Sequence, residues 1–135
     1  MKKLLIASYW IGIVADALAA LLLFSPALGD HVMHRLPYEI TPMHLYVSRI
    51  AGGLMLGWTV LLFWGQRKPV KRADLLLITL APVTIMAGAA VAIARSGQLP
   101  LSSLAPLLLF YLVLYSTFLP SYLWAKRSGG IDGAG

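Results

Sequence analysis

The stretch Leu4–Phe24 reads LLIASYWIGIVADALAALLLF, and its one charged residue is Asp16. Wound into a helix at about 1.5 Å per residue, it covers about 30 Å, the depth of a bilayer's hydrocarbon core. Three further stretches share this character: 44–65, 74–94 and 102–124. Turn-forming residues separate them, namely Ser25-Pro26, Pro37, Pro42, Pro69 and Ser96-Gly97 followed by Pro100. Lipid offers backbone amides no hydrogen-bond partner, so each span must satisfy its own as a helix. The expectation is an all-α bundle of four transmembrane helices in one membrane domain, residues 1–127. The Gly-rich tail, 128–135, has nothing to bury and is expected to be flexible.

Composition supports this reading. Of 135 residues, 59% are hydrophobic and 12% are charged, and the mean hydropathy is +0.80. A soluble domain carries roughly a quarter charged residues, so this chain lacks the polar surface to coat a globule in water. Soluble classes and disordered segments are excluded. The chain has no cysteine, which excludes disulfides, thiolate catalysis and cysteine-ligated metals.

The net charge of +6 is a topology signal rather than a nucleic-acid footprint. Lys2, Lys3, Arg67, Lys68, Lys71, Arg72, Lys126 and Arg127 fall on one side of the four spans, and Arg35 and Arg95 on the other. Cationic flanks stay in the cytoplasm, so both termini are expected there, in a multi-pass protein of a bacterial inner membrane. The basic turn at 67–72 then anchors against anionic lipid. Lys2-Lys3, the apolar run and Ala27-Leu28-Gly29 have the outline of a secretory leader, but the run is too long and Asp16 interrupts it, so it is expected to remain as a span. The one long connection, from Ser25 to Met43, places Leu28, Val32 and Leu36 four residues apart. That spacing predicts a short amphipathic helix on the outer surface.

Two charges fall inside spans, and such charges are costly unless paired or facing a cavity. Counted from Leu4, Asp16 lies about 18 Å from the cytoplasmic edge; counted from Gly65, Arg49 lies about 24 Å from it. A long side chain covers that difference, so an Asp16–Arg49 pair is expected. Asp16 shares a helix face with Ser8, Gly12, Ala19 and Ala20, and Arg49 with Gly52, Gly53, Leu56 and Gly57. Small residues mark close helix approach in membranes, so both charges are expected to point inward. The pair either fixes helix register or lines a polar pocket; the remaining alternative is that the two fail to pair and Arg49 reaches outward to the headgroups. Thr84, Tyr111 and Tyr115 lie at comparable depth and would complete the layer. The tyrosines alternatively pack as core, each bonded to a carbonyl on a neighbouring helix. Pro82 removes a backbone hydrogen bond inside its span and predicts a kink.

Weaker signals lie at the outer loop, where His31, Met33, His34, Met43 and His44 gather. Histidine and methionine are ligands for copper and haem iron, although these residues read equally as interfacial side chains. No Ser/His/acid spacing suggests a triad and no Gly-rich phosphate loop follows a strand, so no catalytic residue, metal or cofactor is predicted.

The segment Tyr46-Val47-Ser48-Arg49-Ile50-Ala51-Gly52-Gly53-Leu54-Met55-Leu56-Gly57 resembles that of small bacterial DoxX-like four-helix membrane proteins, in which an Arg precedes a Gly-rich helical stretch. The likeness covers the second span and the four-span plan. It implies the same architecture and, through one branch of that group, an association with quinol-linked oxidation.

The functional expectation is a non-enzymatic membrane protein, an accessory subunit or a binder of a small amphiphilic ligand, with the bilayer, a membrane-protein partner or a second copy as its company. One alternative is a small oligomeric proton-coupled transporter in which Asp16 titrates. The other is a redox accessory protein using haem or quinone near His34 and His44.

Overall fold

The computed structural model describes residues 1–25, 28, 41–97 and 101–129. It is all-helical in its elements: α1 (Lys2–Phe24), α2 (Pro42–Gln66), α3 (Asp74–Arg95) and α4 (Leu101–Gly129). All four are long and apolar enough to cross a membrane, which makes this a multi-pass membrane protein. The expected outer-loop helix and the Gly-rich tail beyond residue 129 lie outside the described residues.

Local chemistry sets the helix ends. Thr41 caps α2, its hydroxyl accepting from the His44 amide at 3.2 Å, and Pro42 follows in the first turn, where its missing N–H costs nothing. Asp74 opens α3 and Arg95 closes it, each complementing the helix dipole. Beyond Arg95 the chain turns at Gly97, whose φ of 72° lies in the left-handed region that only glycine adopts freely. Helix α3 is continuous through Pro82, and α4 through Pro106 and Pro120.

Helix α1 is central, packing on α2 and on α4, while α3 packs on α4. Its apolar contacts are Leu5, Tyr9 and Ile13 against Leu62 of α2 and Phe118 and Leu114 of α4, with Leu76, Leu80 and Val83 of α3 closing the core. Two glycines permit the closest approaches. A Cβ at Gly12 would stand 2.8 Å from Leu62 and 3.0 Å from Phe118, and one at Gly65 would stand 2.6 Å from Leu75 and 2.8 Å from Tyr9. In lipid, such packing and interhelical hydrogen bonds take over from the hydrophobic effect.

Hydrogen bonds tie the same elements. Ser8 Oγ lies 2.9 Å from Ser121 Oγ and 3.1 Å from the Thr117 carbonyl, joining α1 to α4. Tyr9 donates to the Arg72 carbonyl at 2.7 Å, and Trp58 Nε1 donates to Thr79 Oγ1 at 3.0 Å, bridging α2 to α3. The Ser8–Ser121 contact sets the first turns of α1 beside the last turns of α4, at one end of the bundle.

Candidate functional site

Asp16 occupies the middle of the packed face of α1. One turn back lie Gly12 and Ile13, and one turn on lies Ala20, all buried. The carboxylate is therefore directed into the protein, as its small neighbours suggested. Its Oδ2 is buried and has no hydrogen-bond partner among the described residues.

The expected partner is elsewhere. Arg49 is exposed, and the one ion pair among the described residues joins Lys126 Nζ to Asp74 Oδ1 at 2.9 Å. The helix register explains the failure. Counting depth from Leu4 and from Gly65 assumed that these two residues are level, whereas Gly65 packs on Tyr9. Five residues of offset amount to about 7.5 Å, which carries Arg49 about 13 Å past Asp16 toward the far end of α1. Consistently, Gly52, three residues beyond Arg49, packs against Leu23 and Phe24.

The glycine signal is corrected in the same way. Gly52 alone of its group faces α1, while Gly53 and Gly57 have nothing within 4 Å of a built Cβ. Arg49, Gly53, Leu56 and Gly57 are all exposed and form an outward face. The close approach of α1 and α2 runs instead through Gly12, Gly52 and Gly65.

The tyrosines divide. Tyr115 and Thr84 bond to each other through their hydroxyls, and Thr84 Oγ1 in turn donates to the Leu80 carbonyl at 2.7 Å, so Tyr115 is the donor of the pair. Tyr111 is 5% exposed, and its hydroxyl, like Asp16 Oδ2, is buried without a partner. The expectation that a carbonyl would satisfy each tyrosine holds for neither.

These two orphaned groups share a level. Measured from the Ser8–Ser121 contact, Asp16 is eight residues up α1, about 12 Å, and Tyr111 is ten residues up the antiparallel α4, about 15 Å. The layer is thus an acceptor and a hydroxyl on facing helices within about one turn of each other, with Leu114 buried just below both levels. Such a pair can hold a small group that both donates and accepts, such as a hydroxyl. A buried polar group left unsatisfied costs about 1–3 kcal/mol, and each such group in a native interior calls for a physical explanation.

Sequence reasoning missed Ser121, and treated Ser8 only as a small neighbour of Asp16; an isolated serine in a span carries no signal until its partner helix is known. His44 lies at the start of α2 with its Nε2 3.4 Å from Ser48 Oγ. His31 and His34 lie outside the described residues, and among those described no group of three His, Asp or Glu is placed to hold a metal. No family model matches this chain, and neither a curated protein nor a solved structure matches it.

Proposed function

We propose that this is a non-enzymatic protein of a bacterial inner membrane, with both termini cytoplasmic, whose bundle interior holds the polar head of a small amphiphilic ligand. It acts alone or as the ligand-holding accessory subunit of a larger membrane assembly. The observation that carries this reading is the orphaned pair, Asp16 Oδ2 and Tyr111 hydroxyl, at one level of an apolar interior. A ligand hydroxyl would donate to Asp16 and accept from Tyr111, relieving both. Its apolar body would lie among Leu114, Ile13 and Val83.

The test is extraction of the purified chain and mass spectrometry of what accompanies it. A single small species at about one per chain, lost in the Asp16→Leu/Tyr111→Phe double variant, is the expected result. Identical extracts from wild type and the double variant, with no species depleted, would overturn the proposal.

A second reading, a small proton-coupled transporter, draws on there being no cation beside Asp16 among the described residues, since a carboxylate without a fixed counter-ion is free to exchange a proton with a passing substrate. Uptake into vesicles that needs a proton gradient and disappears with Asp16→Asn would favour it over the binding reading.

A further inference from the structure

The turn between α2 and α3 concentrates Arg67, Lys68, Lys71 and Arg72. Asp74, the acid adjoining it, is already matched by Lys126. Arg72 is held in place: its Nη1 donates to the Trp64 carbonyl and its guanidinium carbon lies 3.2 Å from the centre of the Trp64 ring. Arg67 sits 5.5 Å from the centre of the Phe63 ring.

From this basic end an open apolar groove of about 330 Å³ runs along α2, lined by Gly57, Val60, Leu61 and Trp64. It exists because Gly57 has no side chain and nothing packs within 4 Å of it. Gly57 is nine residues from Gln66, about 14 Å along the helix, and one leaflet of hydrocarbon is about 15 Å deep. The groove therefore starts beneath the guanidinium stacked on Trp64 and ends near the bilayer midplane. Its lining from Trp64 to Gly57 covers seven residues, about 10 Å, which takes the upper part of one acyl chain suspended from a phosphate, with cations where the phosphate would be. A second copy suits this face less well, because a parallel pair across it would bring two basic turns together.

We propose that the groove and the turn bind one anionic phospholipid, its phosphate met by Arg72 and neighbouring cations and one acyl chain lying over Gly57. This site is distinct from the Asp16–Tyr111 layer and does not depend on it.

The experiment is native mass spectrometry of the detergent-solubilised full chain titrated with phosphatidylglycerol or phosphatidylcholine. One phosphatidylglycerol should be retained per chain, about thirtyfold more strongly than phosphatidylcholine, the order expected when two cations act on one headgroup. Gly57→Leu fills the groove without changing charge and should lower that retention about tenfold; Val60→Phe, at an exposed position, should act in the same direction if Gly57→Leu fails to fold. Arg72→Gln should cut the preference for the anionic lipid to about fivefold, the share of one remaining cation, whereas a Lys2→Gln/Lys3→Gln variant should leave it unchanged. Retention unchanged by both groove variants, equal retention of the two lipids, or a wild-type dimer that Gly57→Leu converts to monomer would each overturn the proposal.

Discussion

The Tyr9 hydroxyl, on a side chain with no exposed surface, donates a 2.7 Å hydrogen bond to the Arg72 carbonyl. That one contact ties the packed face of α1 to the turn joining α2 and α3. The same carbonyl accepts from the Leu75 amide at 3.0 Å, so losing the tyrosine proton leaves it satisfied. Tyr9→Phe should therefore cost only the net worth of one hydrogen bond, about 1 kcal/mol. Tyr9→Ala also empties the space beside Gly65 and should cost about 3–5 kcal/mol. Unfolding by denaturant in detergent measures both; equal losses for the two variants would mean that the ring contributes nothing beyond its hydroxyl.

Asp16 and Arg49 differ in level by about 13 Å and in direction, one inward and one outward. Residues so separated behave additively, within about 0.5 kcal/mol. In a double-mutant cycle, Asp16→Ala and Arg49→Ala should thus show no coupling in thermal stability. A buried ion pair would instead give a coupling of several kcal/mol, since breaking one strands the partner charge. In protein stripped of ligand, Tyr111→Phe should be neutral or stabilising by about 1 kcal/mol in the same melting assay, because it removes a hydroxyl left without a partner.

The spans were legible because lipid leaves so few solutions: an apolar run of the right length must be a helix, and the observed helices fall on all four expected stretches. The depth of Asp16 on the packed face of α1 was legible too, from Ser8, Gly12 and Ala20 around it. Arg49 was not, because its level depends on which residues of α1 and α2 meet. Gly65 against Tyr9 and Gly12 against Leu62 and Phe118 decide that, and neither contact follows from periodicity. The Gly53–Gly57 step looked like a helix–helix seam, yet its geometry suits any close-fitting neighbour, including an acyl chain. Ser8 and Ser121 are 113 residues apart, and only the fold makes them a pair.

Orientation can be read directly, since the chain has no cysteine to interfere. The start of α1, the end of α4 and the 67–73 turn share one end of the bundle, and eight of the chain's Lys and Arg residues lie there by sequence. The excess of cations predicts that this end faces the cytoplasm. Single cysteines at Lys3, Lys68 and Arg127 should resist a membrane-impermeant thiol reagent in intact cells, while one at Gly97 should react. Labelling at Lys68 but not Gly97 would reverse the topology.

Gly12 and Gly53 separate packing from composition. Both are glycines in spans, but a Cβ at Gly12 would press on Leu62 at 2.8 Å and Phe118 at 3.0 Å, whereas Gly53 has open space. The neighbours of Gly12 are core side chains of two other helices, so relief requires α2 or α4 to move. Gly12→Val should destabilise by about 1–3 kcal/mol through overpacking. Gly53→Val should stay within about 0.5 kcal/mol, as for other surface changes. Gly12→Ala tests the lower limit: even one methyl must displace the Leu62 or Phe118 tip, so its melting temperature should already fall. If Gly53→Val proves the more damaging of the two valine variants, the close approach of α1 and α2 runs through the other glycine face and the register deduced for Arg49 is wrong with it.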